Sequence, residues 1–151
     1  MTSDEYEAYF TQAAAEYAED KVKAGNWPAE GAVERSRQEF VKYLPKGLET
    51  PDNDVCTLVD LESGAGVGMI WYARVAESTQ PIWFIFDLSI DPEQRRQGYA
   101  SQALAALEER ARAEGIRSIE LHVFGHNTAA RALYEKVGFE ITNINMVRKV
   151  S

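Results

Sequence analysis

The stretch "SIDPEQRRQGYASQALAALEERARAEG", from Ser89 to Gly115, decides the fold. Leu104, Leu107 and Ala111 recur at helical spacing and Gly115 closes the helix. Two arginines and a glycine stand at its mouth, although cationic side chains there oppose the partial positive charge of the free N–H groups. An anion received at that mouth resolves the conflict. Gly98 allows close approach to the backbone and Ala100 keeps the next turn small. The amides of Gln97, Gly98, Tyr99, Ala100 and Ser101 are donors without helical partners, and Arg95 and Arg96 add guanidinium groups suited to phosphate. A pyrophosphate is the most economical ligand, and an exposed turn with solvated arginines is the plain alternative. The Gly-Lys-Ser/Thr of a Walker loop is absent, which disfavours nucleotide hydrolysis.

Upstream, "PIWFIFDLSI" (81–90) reads as a strand with Ile82, Phe84, Phe86, Leu88 and Ile90 on one face. Trp83 and Ile85 begin the other, which turns polar at Asp87 and Ser89. "VCTLVDL" (55–61) and "VGMIWYARVA" (67–76) are strands joined through "ESGAG". "GAGVG" (64–68) precedes a strand and no helix, so it reads as hairpin, not dinucleotide loop. Two helices come first. One runs from Ser3, its N-cap, to about Gly25, with Tyr6, Phe10, Ala13, Ala14 and Tyr17 inward. The other runs from about Pro28 to Leu44, with Val33, Phe40, Val41 and Leu44 on one stripe. Downstream, all nine residues of "IRSIELHVF" read as a strand, "NTAARALYEKVG" as a helix capped by Asn127 and ended by Gly138, and "FEITNINMVRKV" as one or two short strands. The order is that of a mixed α/β (α+β) domain with β-α-β connections in its second half.

The chain has 151 residues, enough for a single core without metal or disulfide. Its net charge of −8 argues against a nucleic-acid binder and suits a cationic acceptor. No apolar run has the length of a membrane span and the start is unlike a signal peptide, so no membrane role and a cytoplasmic location are expected. The lone Cys56 reads as a small core side chain, and two histidines without a supporting cluster make no metal site.

"RRQGYA" resembles the Arg/Gln-x-x-Gly-x-Gly/Ala signature of the GCN5-related N-acetyltransferase (GNAT) superfamily. The strand "FDLSID" before it and "NTAARALYEKVGF" after it, with Asn, Tyr and Gly-Phe in register, extend the resemblance over roughly residues 55–140. The resemblance implies a mostly antiparallel twisted sheet flanked by helices, with two parallel neighbouring strands, the family's fourth and fifth, splayed around the cosubstrate. The family's usual first strand is missing from the reading. One domain over 1–151 is expected, with a helical acceptor-side region (1–50) and a sheet and cosubstrate core (55–149).

The activity implied is transfer of an acetyl group from acetyl-CoA to a primary amine by direct attack in a ternary complex. Backbone groups of Leu88, Ser89 and Ile90 would pair with pantetheine, and Asn127 would bond the same arm unless it is only a cap. Tyr134 would be the general acid at the thioester sulfur. Asp87 is the candidate general base, since a strand inside a sheet has little reason for a carboxylate unless that end opens into a cleft; a hydrogen-bonded structural Asp is the alternative. Glu120 and His122 stand in reserve. The acceptor could be a small-molecule amine or a protein N-terminus or lysine, and a homodimer is common in the superfamily. A non-catalytic acyl-CoA-binding module is the rival reading.

Overall fold

The computed structural model describes residues 1–150. Helix α1 (Ser3–Lys23) begins one residue earlier than the sequence reading. Thr2 is the N-cap: its hydroxyl accepts from the Glu5 N–H at 3.2 Å, and the Glu5 carboxylate accepts from the Thr2 N–H at 2.6 Å. This reciprocal box satisfies two donors that Ser3 could not reach from inside the helix. Gly25, at φ +76°, follows the C-cap and ends the helix.

Helix α2 (Ala32–Tyr43) is shorter than expected, and its buried stripe is shifted by one position. Ala32, Ser36, Phe40 and Leu44 are buried, whereas Val33 and Val41 are 50% and 56% exposed. Ala14 and Ala18 are buried on α1, which packs on α2, and small side chains such as Ala32 and Ser36 permit a close approach of the two helices. Placing either valine at that contact would hold the helices apart. Pro28 lies four residues before the helix, in the turn that Gly31 closes in the left-handed region.

Strands β1 (Asn53–Val59), β2 (Gly66–Arg74), β3 (Ile82–Ile90) and β4 (Ser118–Leu121) form one sheet in that order. β1–β2 and β2–β3 are antiparallel; β3–β4 is parallel, with α3 (Tyr99–Ala113) as the crossover. Helix α4 (Thr128–Lys136) follows β4. No strand precedes α1 among the described residues, in line with the sequence reading.

The sheet is covered on both faces. Ala13, Ala14 and Phe40 from α1 and α2 pack on Val55, Met69 and Trp71. On the opposite face Leu104, Leu107 and Ala111 of α3 pack on Ile70, Tyr72, Trp83 and Ile85. Two expectations fail here. β4 spans four residues instead of nine, and "FEITNINMVRKV" forms no strand: residues 140–150 belong to no helix or strand and are exposed. A strand needs a partner edge for its N–H and C=O groups, and this segment reaches none within its own chain.

Candidate active site

Between Trp71 and Tyr72 of β2 the pairing with β3 skips one residue: Trp71 faces Asp87, while Tyr72 faces Ile85. Phe86 is thus the extra residue of a β-bulge, and a bulge reverses the alternation beyond it. Trp83 and Ile85 point to the α3 face; so does Leu88, which packs with the same cluster. Asp87 points to the α1 face, where the Tyr9 hydroxyl donates to its Oδ2 at 2.9 Å. The continuous face from Ile82 to Ile90 expected from the sequence does not exist, and Asp87 shares a side with Phe84 and Phe86 instead. Phe86 stacks on Trp71 at 4.4 Å between ring centroids and meets Phe84 at 4.9 Å and Tyr43 at 5.3 Å. An aromatic wall therefore borders the carboxylate.

The pairing of β3 with β4 stops where the bulge begins. Ile82 to Ile85 pair with Ser118 to Leu121, and from Phe86 onward β3 has no neighbour on that side. Leu88, Ser89 and Ile90 lie on this open edge, which can take an added strand-like ligand. Gly68 of β2 supports it from the other side. A Cβ there would collide with the Ser89 carbonyl oxygen and lie 2.9 Å from Ile90 Cα, so only glycine lets β2 approach this end of β3. Gly68 lies inside β2, as the strand read over 67–76 requires.

The open edge leads to the mouth of α3. Gly98, at φ +81°, is the N-cap and no side chain caps the helix, so the amides of the first turn stay available. A Cβ on Gly98 would meet only the Gln102 amide nitrogen, at 3.7 Å. Arg96 is also left-handed, at φ +64°, which turns successive N–H groups of the loop toward one side. These features fit a diphosphate. The two arginines divide their work: Arg95 Nε donates to the Ile90 carbonyl oxygen at 2.9 Å, pinning the loop to β3, and Arg96 is exposed. Tyr99 is anchored too, its hydroxyl donating to Asp60 Oδ2 at 2.8 Å. Gln97 is exposed, and Ala100 and Ser101 are half-buried in the first turn.

Tyr134, half-buried on α4, packs edge-on against Phe139 at 5.5 Å. Burial, with the Asp87 carboxylate adding to it, raises its pKa above the usual phenol value, so the hydroxyl stays protonated at neutral pH. Burial also raises the pKa of Asp87. The negative charges of Glu16 and Asp20 push the same way, against the hydrogen bonds from Tyr9 and the Leu88 N–H. Asn127 Oδ1 accepts from the Ala130 N–H at 3.2 Å, so its carbonyl caps α4 and only its amide N–H groups remain for a ligand.

Neither reserve is well placed. Glu120 is exposed on β4, and His122 lies past the end of that strand, exposed, edge-on to Phe124 at 5.0 Å. His126 Nε2 lies 2.8 Å from Asp20 Oδ1 and ties the entry of α4 to α1. Among the described residues no group of three His, Cys, Asp or Glu side chains could hold a metal, and no helix is long and apolar enough to cross a membrane. Sequence reasoning missed Tyr9, Asp60 and Gly68. Tyr9 alone carried a signal, as a hydroxyl on the flank of the apolar stripe of α1.

The mixed four-strand sheet, with a parallel pair splayed beside a helix mouth, is the arrangement of GNAT acetyltransferase structures. The chain belongs to the acetyltransferase (GNAT) family, whose model matches residues 10–139. It is 44% identical over 150 residues to the Bacillus subtilis protein named "Uncharacterized N-acetyltransferase YycN", covering 99% of this chain and 96% of that one. A second Bacillus subtilis protein, "Uncharacterized N-acetyltransferase YdgE", is 31% identical over 99% of this chain and 95% of its own length. The crystal structure of the YycN protein superposes with a TM-score of 0.93, covering 100% of this chain and 96% of that one.

Proposed function

We propose that the protein transfers an acetyl group from acetyl-CoA to a primary amine held between the α1–α2 side of the sheet and the open edge of β3. One observation carries the reading: from Phe86 onward β3 has no neighbour on the β4 side, and Asp87, Leu88, Ser89 and Ile90 lie in that unpaired stretch. The edge leads directly to the uncapped mouth of α3.

The amides from Gly98 to Ser101 and the Arg96 guanidinium would hold the diphosphate, and Leu88, Ser89 and Ile90 would pair with the arm. Acetyl-CoA supplies the activated thioester. Asp87, directly or through a water, would take the proton of the attacking amine, and its raised pKa makes it a stronger base than an exposed carboxylate. Tyr134 would donate to the departing sulfur. Trp71, Phe84 and Phe86 would wall this corner, while Glu16 and Asp20 favour a cationic acceptor.

An acetyl-CoA turnover screen against small amines, amino acids and peptide N-termini, read by thiol release, tests the proposal. Release dependent on an amine is expected. Tight CoA binding without turnover on any acceptor would favour a regulatory acyl-CoA-binding module.

A further inference from the structure

We propose, resting on the acetyl-CoA reading above, that Asp60 is a positioning residue for the cosubstrate: through the Tyr99 hydroxyl it holds residues 95–98 in the shape that receives the diphosphate. This loop needs holding. Gly98 is left-handed at φ +81°, and so is Arg96 at φ +64°, a conformation that crowds the Cβ of any residue but glycine. A residue with a side chain keeps it only where its surroundings over-determine the backbone. The first turn of α3 gives little help, because no side chain caps it and its first buried residue is Leu104.

Two tethers bracket the left-handed residues. Before them, Arg95 Nε donates to the Ile90 carbonyl oxygen at 2.9 Å; after them, the Tyr99 hydroxyl donates to Asp60 Oδ2 at 2.8 Å. The first runs to the strand from which the loop departs. The second reaches 39 positions back along the chain, to the hairpin between β1 and β2. Tyr99 is the first residue of α3, so fixing its side chain fixes the start of the helix and the N–H groups beside it.

Asp60 is itself held. Its Oδ1 accepts from the Glu62 N–H at 3.0 Å, the Ser63 N–H at 2.8 Å and the Ser63 hydroxyl at 3.1 Å. Its backbone N–H donates to the Ala65 carbonyl oxygen at 2.9 Å, and its carbonyl oxygen accepts from the Gly64 N–H at 2.8 Å. One carboxylate oxygen thus closes the hairpin turn while the other reaches the helix mouth. The Ser63 N–H, with the Tyr99 and Ser63 hydroxyls, holds the carboxyl below the usual carboxylate range, so the acceptor is ionised at neutral pH. Residues 61–66 are all exposed, so the hairpin's bond to Tyr99 restrains the loop more than it supports the core.

The test is the preference for acetyl-CoA over S-acetylpantetheine, which has the arm and the thioester but no diphosphate, measured as a ratio of kcat/KM values. Tyr99→Phe deletes one hydroxyl and leaves the hairpin turn intact. It should lower the ratio about 3–10-fold, the worth of one hydrogen bond, because an untethered loop spends less time in the receiving shape. Asp60→Ala should lower it at least as far, and adding Tyr99→Phe to Asp60→Ala should cost nothing more. Asp60→Asn, whose amide can donate to the Tyr99 hydroxyl, should recover the ratio. In the ligand-free protein, Tyr99→Phe should speed hydrogen exchange at the amides of residues 96–101. General damage would slow both thioesters alike. An unchanged ratio or unchanged exchange in Tyr99→Phe, or a further loss in the double variant, would overturn the role of Asp60. A wild type that turns over neither thioester, or prefers neither, would overturn the acetyl-CoA reading and this role with it.

Discussion

The Tyr9 hydroxyl donates to the Asp87 carboxylate at 2.9 Å, joining residues 78 positions apart. Tyr9 keeps its proton, because burial and the facing Asp87 carry its pKa far above the usual phenol value. It therefore stabilises the ionised form of Asp87, and it does so against burial and against Glu16 and Asp20, with Tyr134 the titratable group facing from α4. Tyr9→Phe removes that stabilisation, so the acid limb of the kcat/KM profile should move to higher pH. A hydrogen bond to a charged group is worth about 1.5–3 kcal/mol, which corresponds to a displacement of about 1–2 pH units. Stopped-time assays across the acid range measure it, and an unmoved limb would mean that Asp87 is not the titrating base.

Asp87→Asn should separate activity from stability. Turnover should fall while CoA affinity stays near wild type, because the amide can accept the Tyr9 hydroxyl but cannot take a proton. Stability should respond in the opposite sense. The folded pKa of Asp87 is raised, so its ionisation costs stability as pH rises from the unfolded pKa through the folded one. The variant should melt higher than wild type at neutral pH, and the difference should vanish in acid, where both side chains are neutral. Calorimetry at the two pH values decides it; equal melting temperatures at neutral pH would mean that the carboxylate is not strained by its site.

Gly98→Asp places a side chain and a negative charge where the diphosphate should lie. Wild-type protein should be stabilised by CoA, by about 2.7 kcal/mol at a hundredfold excess over Kd. The variant should lose that shift. Its intrinsic cost should be about 1 kcal/mol, from a left-handed conformation that aspartate tolerates better than most residues. A normal CoA shift in a thermal melt would remove the helix mouth from the binding site.

Gly68→Ala should damage the site from behind. Its Cβ meets the backbone of Ser89 and Ile90, which cannot rotate aside as a side chain would. Overpacking of this kind costs about 1–3 kcal/mol. The KM for acetyl-CoA should rise at the same time, since Ser89 and Ile90 form the open edge. Denaturant titration and steady-state kinetics on one preparation test both effects. A stability loss with unchanged KM would detach this stretch of β3 from the cosubstrate.

The parts of this site governed by local rules were legible in the sequence. Gly98 at a helix mouth and Asn127 at a cap follow from residue types and helical spacing, whereas Tyr134 stood out only through the family resemblance. What lay beyond reach depended on a partner strand or helix. "FIFDLSI" alternates without a break, and only its pairing with Trp71 and Tyr72 shows that Phe86 is a bulge and that Asp87 turns toward α1. The stripe of α2 was misplaced because hydrophobicity favours Val33 and Val41, whereas close contact with α1 favours Ala32 and Ser36. Residues 140–150 carry the composition of a strand, and sequence does not reveal which edge, if any, will take one.

Tyr134 separates an enzyme from a binding module. The pKa raised by burial and by Asp87 keeps its hydroxyl protonated, as a donor must be, but also makes it a weaker acid than an exposed tyrosine. The leaving group offsets this, because a thiolate departs readily near its own pKa of about 8.5. General acid catalysis typically contributes about 10²–10⁴-fold, and a thiol leaving group places the effect at the lower end. Tyr134→Phe keeps the ring that meets Phe139 and removes only the hydroxyl, so the fold should persist. The expected result is a fall in kcat of about 10²-fold with the KM for acetyl-CoA within a few-fold of wild type, the signature of an interaction made in the transition state. Loss of the fold would make the hydroxyl structural. An unchanged kcat, with chemistry shown to be rate-limiting, would leave water as the proton source and remove Tyr134 from the mechanism.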